Sequence, residues 1–170
     1  MQIEKKFKLR EWQFSDASDL AENANNIHIW NNVRDYFPHP YSKKDGEEFI
    51  RMVLDRPQPA IDFTIEIEGK AAGGIGIVLN SDVERITVEI GYWLGERHWG
   101  KGIMTEAVKE MVEYAFNNFP IRKIYAPVFE FNKASQKVLE KAGFTREAVL
   151  KQAAIKNGQI IDMYYYSLIR

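Results

Sequence analysis

Three places in this chain hold residues whose types and spacing could do chemistry: Glu89, the stretch from Gly95 to Thr105, and the pair Asn132 and Ser135. The middle one says most. Gly95-Glu96-Arg97-His98-Trp99-Gly100-Lys101-Gly102 follows a strand-like run, Glu89 to Leu94, and leads into a run with helical period. Such a turn aims backbone N–H groups at one point, and the helix behind it adds the positive end of its dipole. The place therefore suits a phosphate or pyrophosphate. Gly100 and Gly102 allow positive φ and close approach of a ligand. Arg97, His98 and Lys101 add positive or polar side chains around the same point.

The helix is written clearly. Ile103, Met104, Ala107, Val108, Met111, Val112, Ala115 and Phe116 form one apolar stripe, with Glu106, Lys109, Glu110 and Glu113 on the other side. Asn117-Asn118-Phe119-Pro120 stops it. Two nucleotide-binding patterns fail here. The dinucleotide fingerprint is absent, because Gly102 is followed by Ile103, Met104 and Thr105. Gly95, Gly100 and Lys101 match a P-loop, but Gly102 stands where a Ser or Thr must hold Mg²⁺, and no later strand ends in a suitable Asp.

A third pattern fits. Arg97-x-x-Gly100-x-Gly102, after a strand and opening a helix, resembles the acetyl-CoA pyrophosphate loop of the GCN5-related N-acetyltransferase (GNAT) superfamily. Asn132 to Phe144, with its early Asn and closing Gly143-Phe144, is similar to that family's fourth helix. Glu89 to Leu94, Leu150-Lys151-Gln152, and the connection Asn31 to Tyr41 resemble the ribosomal-protein-alanine acetyltransferases (RimJ/RimL-like). The resemblance covers nearly the whole chain. It implies an α/β fold with a mixed, mostly antiparallel, splayed sheet and helices on both faces. It also implies acetyl-CoA as co-substrate, held by Tyr92, Trp93, Leu94, Arg97, His98, Gly100, Lys101, Gly102, Ile103, Met104, Thr105 and Asn132.

Composition agrees with a single domain over residues 1–170: 45% of the 170 residues are hydrophobic. There is no cysteine, and the three histidines are scattered, so no metal site is expected. A net charge of −1 argues against a nucleic-acid partner. No run of about 18 apolar residues suggests a membrane span, and Met1 to Lys6 lacks a signal-peptide core. A cytoplasmic location is expected, with monomer or homodimer left open.

Along the chain the periodicity predicts a strand over Lys6–Trp12, a helix capped by Ser15 through about Asn25, and an irregular aromatic connection from Ile27 to Tyr41. A helix capped by Ser42 follows, with Phe49, Ile50, Val53 and Leu54 as its buried stripe. Strands are expected over Asp62–Glu68, from a Gly69-Lys70 turn to Leu79, up to Leu94, and over Lys123–Phe129. The helix Asn132–Ala142 and two strands flanking Asn157-Gly158 complete the chain. Pro127 cannot donate to a ladder, so it marks an edge or a place where strands part.

Acetyl transfer to an amine needs a base, a donor to the developing oxyanion and a proton or hydrogen bond for the leaving thiolate. By resemblance, the oxyanion donor comes from a bulge near Ile90 to Trp93, where Gly91 best permits one. Glu89 is the candidate base, directly or through water; it is equally readable as an ordinary strand carboxylate. Many GNAT enzymes carry a Tyr where this chain has Leu139, and RimL-like sequences have a Glu where this chain has Ala154. Ser135, matched to the RimL-like pattern, is the candidate donor to the thiolate. Asn132 is either a contact for the pantetheine amides, a helix cap or both. Lys133, Lys137 and Lys141 form a basic stripe that reads as a cofactor-phosphate contact or a solvated face. Trp30, Tyr36, Phe37 and Tyr41, with His39, are candidates to line an acceptor site for an amine, either a peptide N-terminus or a small molecule. The alternative class is an acyl-CoA-binding module without catalysis.

Overall fold

The computed structural model describes residues 6–170; the segment before them, including most of the stretch read for a signal peptide, lies outside the described residues. In chain order the elements are β1 (Lys8–Glu11), α1 (Ala17–Ala24), α2 (Ile27–Trp30), α3 (Lys43–Leu54), β2 (Asp62–Ile67), β3 (Lys70–Leu79), β4 (Thr87–Leu94), α4 (Ile103–Asn118), β5 (Lys123–Phe129), α5 (Lys133–Lys141), β6 (Thr145–Lys156) and β7 (Gln159–Ile169). The strands form one seven-stranded mixed sheet in the order β1-β2-β3-β4-β5-β7-β6. The chain divides into two compact units. One holds the described residues up to Gly76 together with Tyr92–Ile103; the other holds Ile77–Gly91 and Met104–Arg170.

In the first unit, β1 pairs antiparallel with β2 and β2 with β3. The turn between β2 and β3 is Glu68-Gly69, both at positive φ (51° and 78°), one residue earlier than the Gly69-Lys70 expected. Two residues at positive φ match the twist of the strands they join. The core gathers Trp12, Leu20, Tyr41 and Ile50, with Phe49 meeting Trp12 edge to face at 5.5 Å. Ser42 caps α3 as expected, in a reciprocal box with Asp45. Two expectations fail. The turn before α1 is a 3-10 segment, Phe14–Asp16, entered through Gln13 rather than capped by Ser15, because the Asp16 carboxylate accepts the Gln13 N–H at 2.9 Å. Leu54 is 49% exposed rather than buried, since it is the last residue of α3. The aromatic connection also contains a short helix, α2, capped by Asn26, whose side chain accepts the His28 N–H.

In the second unit, α4 buries Ala107, Val108, Met111, Val112 and Ala115, the stripe read from the sequence. β5 pairs antiparallel with β7, and β7 with β6, through the hairpin turn Asn157-Gly158, both residues at positive φ. β4 and β5 run parallel, and their register contains Thr87↔Lys123, Val88↔Ile124 and Glu89↔Tyr125. β5 continues for four residues past that last pair. Pro127 lies two residues past it and stands opposite Tyr165 on β7. Its missing donor thus falls where β5 has left β4. Among the described residues, no helix is long and apolar enough to cross a membrane.

Candidate active site

The turn after β4 is built from tethered backbone. Leu94 is buried, its carbonyl accepts Trp99 Nε1–H at 2.7 Å, and the Gly95 N–H donates to Ala72 O at 2.8 Å. A side chain at Gly95 would collide with Asn23, so glycine is required there by space. Glu96–His98 forms a 3-10 turn, closed by His98 N–H to Gly95 O at 2.9 Å and Trp99 N–H to Glu96 O at 3.0 Å. Gly100 and Gly102 then hold φ of +72° and +75° before α4 begins at Ile103. Alternating positive φ turns successive N–H groups toward one concavity. The first N–H groups of α4 have no intrahelical acceptor. The space where a Cβ would stand at either glycine is open. The loop thus combines open space with backbone donors of the kind a phosphate group takes.

The side chains around the loop are held by residues that the motif did not reveal. Asn23 is buried; its Nδ2 donates to Asp19 O at 3.0 Å and to Ala71 O at 3.1 Å, while its Oδ1 accepts from Arg97 at 3.3 Å. Glu96 accepts from Asn26 at 2.7 Å and lies 3.0 Å from His28 Nδ1, contacts that hold its carboxyl below the ordinary range. An asparagine on the apolar face of a short helix was the available signal for Asn23. Burial, and then the charges of Arg97 and Lys101, lower the pKa of His98. The loop's positive charge therefore comes from Arg97 and Lys101, with His98 a neutral polar group near pH 7.

The aromatic candidates separate by burial. Phe37 lies 5.8 Å from Trp93, edge to face, and 5.2 Å from Tyr41. Tyr41 is buried, at 6% exposure, so it stands in the core beneath this aromatic group. Burial pushes its hydroxyl up to about 12. Trp30 packs against His39 at 5.7 Å, and Tyr36 is 83% exposed. Tyr92 is half-buried, as are Met104 and Thr105 at the start of α4, while Ile103 is buried.

In the second unit, Glu89 is half-buried on β4, between buried Val88 and Ile90, and so lies on the strand face opposite those two. Gly91 shares that face, is exposed, and has open space where a side chain would be; it is not among the glycines at positive φ. Asn132 caps α5, its side-chain oxygen accepting the Ser135 N–H at 3.2 Å. Asn132 and Ser135 are thus brought together in one helix turn, while Glu89 lies on a separate element. Leu139 is fully buried, a core position rather than a site position. Lys133, Lys137 and Lys141 are all exposed.

The profile of the acetyltransferase (GNAT) domain family matches residues 6–145. The ribosomal-protein-serine acetyltransferase of Escherichia coli is 32% identical over 97 residues, 56% of this chain and 54% of that protein. The spermidine N(1)-acetyltransferase of Escherichia coli is 27% identical over 157 residues, 89% and 80% respectively. Among solved structures, the microcin C7 self-immunity acetyltransferase MccE, in complex with acetyl-CoA and AMP, superposes with a TM-score of 0.84 at 27% identity, covering 100% of this chain and 96% of that one. The chain spans about half the length of three curated Bacillus relatives it also matches, 50%, 40% and 46%.

Proposed function

This chain belongs to the GNAT acetyltransferase family, and from that premise we propose that it transfers the acetyl group of acetyl-CoA directly to a primary amine. The acceptor is a protein N-terminus or a small amine; relatives named for a ribosomal protein and for spermidine represent the two kinds. The observation that carries the reading is the loop with Gly100 and Gly102 at positive φ, opening α4.

Bound acetyl-CoA supplies an activated acetyl thioester. The rest is the work of this chain. The N–H groups from Gly100 to Thr105, with Arg97 and Lys101, hold the diphosphate. Past Glu89↔Tyr125, β4 offers main-chain groups that an extended amide arm can pair with in strand fashion. Asn132 caps α5 through its oxygen and keeps its amide N–H groups for the same arm. A backbone N–H near the end of β4 donates to the thioester oxygen as negative charge develops there. Glu89, directly or through a water, takes the proton from the attacking amine. Ser135 donates a hydrogen bond to the departing sulfur. Phe37 and Trp93 shape the acceptor side, with Trp30 and Tyr36 available from the connection.

The test is CoA-thiol release with a panel of amines and N-terminal peptides. Wild-type turnover on at least one class is expected. Glu89→Gln should lower kcat by about 100-fold or more while CoA binding is kept, the range of a positioned general base. Saturable CoA binding with no turnover on any acceptor, and no effect of Glu89→Gln, would instead favour an acyl-CoA-binding module.

A further inference from the structure

On the face of the sheet that carries Glu89, two phenols form a wall. Tyr125 is the register partner of Glu89, and Tyr165 stands opposite Pro127 on β7. Their rings stack at 4.8 Å with 13° between planes. Asn80, in the turn after β3, donates its Nδ2 to the Tyr125 oxygen at 3.2 Å and to Thr87 Oγ1 at 2.7 Å. Thr87 in turn donates to Glu84 O at 2.9 Å. The Tyr125 end of the wall is therefore anchored to the β3–β4 turn.

The charged groups facing the wall come from every neighbouring strand. Glu89 is on β4. Lys123 is on β5, with its ammonium 5.9 Å from the Tyr165 ring centroid and 2.7 Å from Glu147 of β6. Glu147 also accepts from Ser167 of β7. Lys123 and Glu147 thus pair with each other beside Tyr165. Burial, the interaction and hydrogen bond with Tyr125, and the carboxylates of Glu89 and Glu147 push the Tyr165 hydroxyl above the ordinary phenol range. A phenol in that state keeps its proton at neutral pH. It acts as a fixed donor and not as a proton carrier.

We propose that Tyr165, stacked on Tyr125, is a positioning residue for Glu89: the anchored pair of phenols fixes the carboxylate on the open face of β4. The inference rests on the reading of Glu89 as the base. A carboxylate on a bare strand face samples several rotamers. One whose strand partner is an anchored, stacked ring has fewer to sample, and catalysis needs the narrower distribution.

The experiment compares wild type, Tyr165→Phe and Tyr125→Phe. Phenylalanine keeps the stack and removes the hydroxyl. For Tyr165→Phe, kcat should fall about 10-fold, because the hydroxyl that bonds Tyr125 is gone. KM for acetyl-CoA should be unchanged. The kcat/KM profile against pH should shift, because the surroundings of the Glu89 carboxylate change. Tyr125→Phe should move the same readouts in the same direction, which covers the case where one variant fails to fold. A crystal structure of either variant should show the Glu89 side chain displaced or split between rotamers. Wild-type turnover with unmoved profiles and an unmoved Glu89 in the variants overturns this inference alone. Absence of wild-type turnover on any acceptor overturns the functional reading beneath it.

Discussion

Glu89, Ser135 and the two loop glycines have different standing at the scale of single residues. The glycines are explained by backbone conformation: φ of +72° and +75° costs a residue with a Cβ about 1 kcal/mol or more, and nothing nearby repays it. Glu89 is explained by its place on β4, on the face opposite buried Val88 and Ile90. Ser135 is held through its backbone by Asn132, which fixes where its hydroxyl starts. If that hydroxyl serves the departing sulfur, Ser135→Ala should lower kcat about 10-fold and leave KM for the acceptor unchanged. The cap itself would persist, because Asn132 bonds the backbone N–H. Equal loss of helix stability and activity, read by thermal melting beside the kinetics, would assign Ser135 to structure instead.

At the scale of elements, the sheet edge shows how much a sequence hides. Arg10 on β1 reaches Asp16 in the turn before α1 with both nitrogens, at 2.7 and 2.8 Å, and also bonds Glu66 on β2. Asp16 is buried, which alone would raise its pKa; the Arg10 hydrogen bonds, the Gln13 N–H and the Arg10 charge overcome this and hold it below the ordinary aspartate value. The sign follows directly. The folded state prefers ionised Asp16, so its contribution is complete above the unfolded value and is lost as pH falls through the folded one. Asp16→Asn should cost about 2 kcal/mol at pH 7, because Arg10 keeps Glu66 but loses its charge-assisted bonds to Asp16. It should also flatten the loss of stability below about pH 4. Denaturant melts from pH 7 to pH 3 read both effects.

No periodicity announces that triad, since its members are 6 and 56 residues from Arg10. By contrast, α4, β5, the Ser42 cap and the Asn157-Gly158 turn were legible, because period, capping chemistry and positive-φ residues are local properties. The extent of α2 and the 3-10 entry to α1 were not. There, side chains such as Asn26 and Asp16 compete with regular backbone pairing. The candidate site divides the same way. Its loop is local and readable, whereas Asn23, Glu96, Tyr125 and Tyr165 join it or Glu89 through contacts set by the fold.

For the whole molecule, the chain has a net charge of −1 with no cysteine, and it matches the GNAT domain family over residues 6–145. A ligand that binds only the folded state stabilises it by mass action, about 2.7 kcal/mol at a hundred times Kd. CoA should therefore raise the melting temperature of the intact chain if the loop holds its diphosphate. The most direct measurement is calorimetric titration of CoA into the wild-type protein and into Gly102→Val, whose folding is verified by circular dichroism. The expected result is one saturable site in the wild type and affinity at least about 10-fold weaker in the variant, because a β-branched residue does not adopt this positive φ. No heat from the wild-type chain, or equal affinity in both proteins, would contradict it.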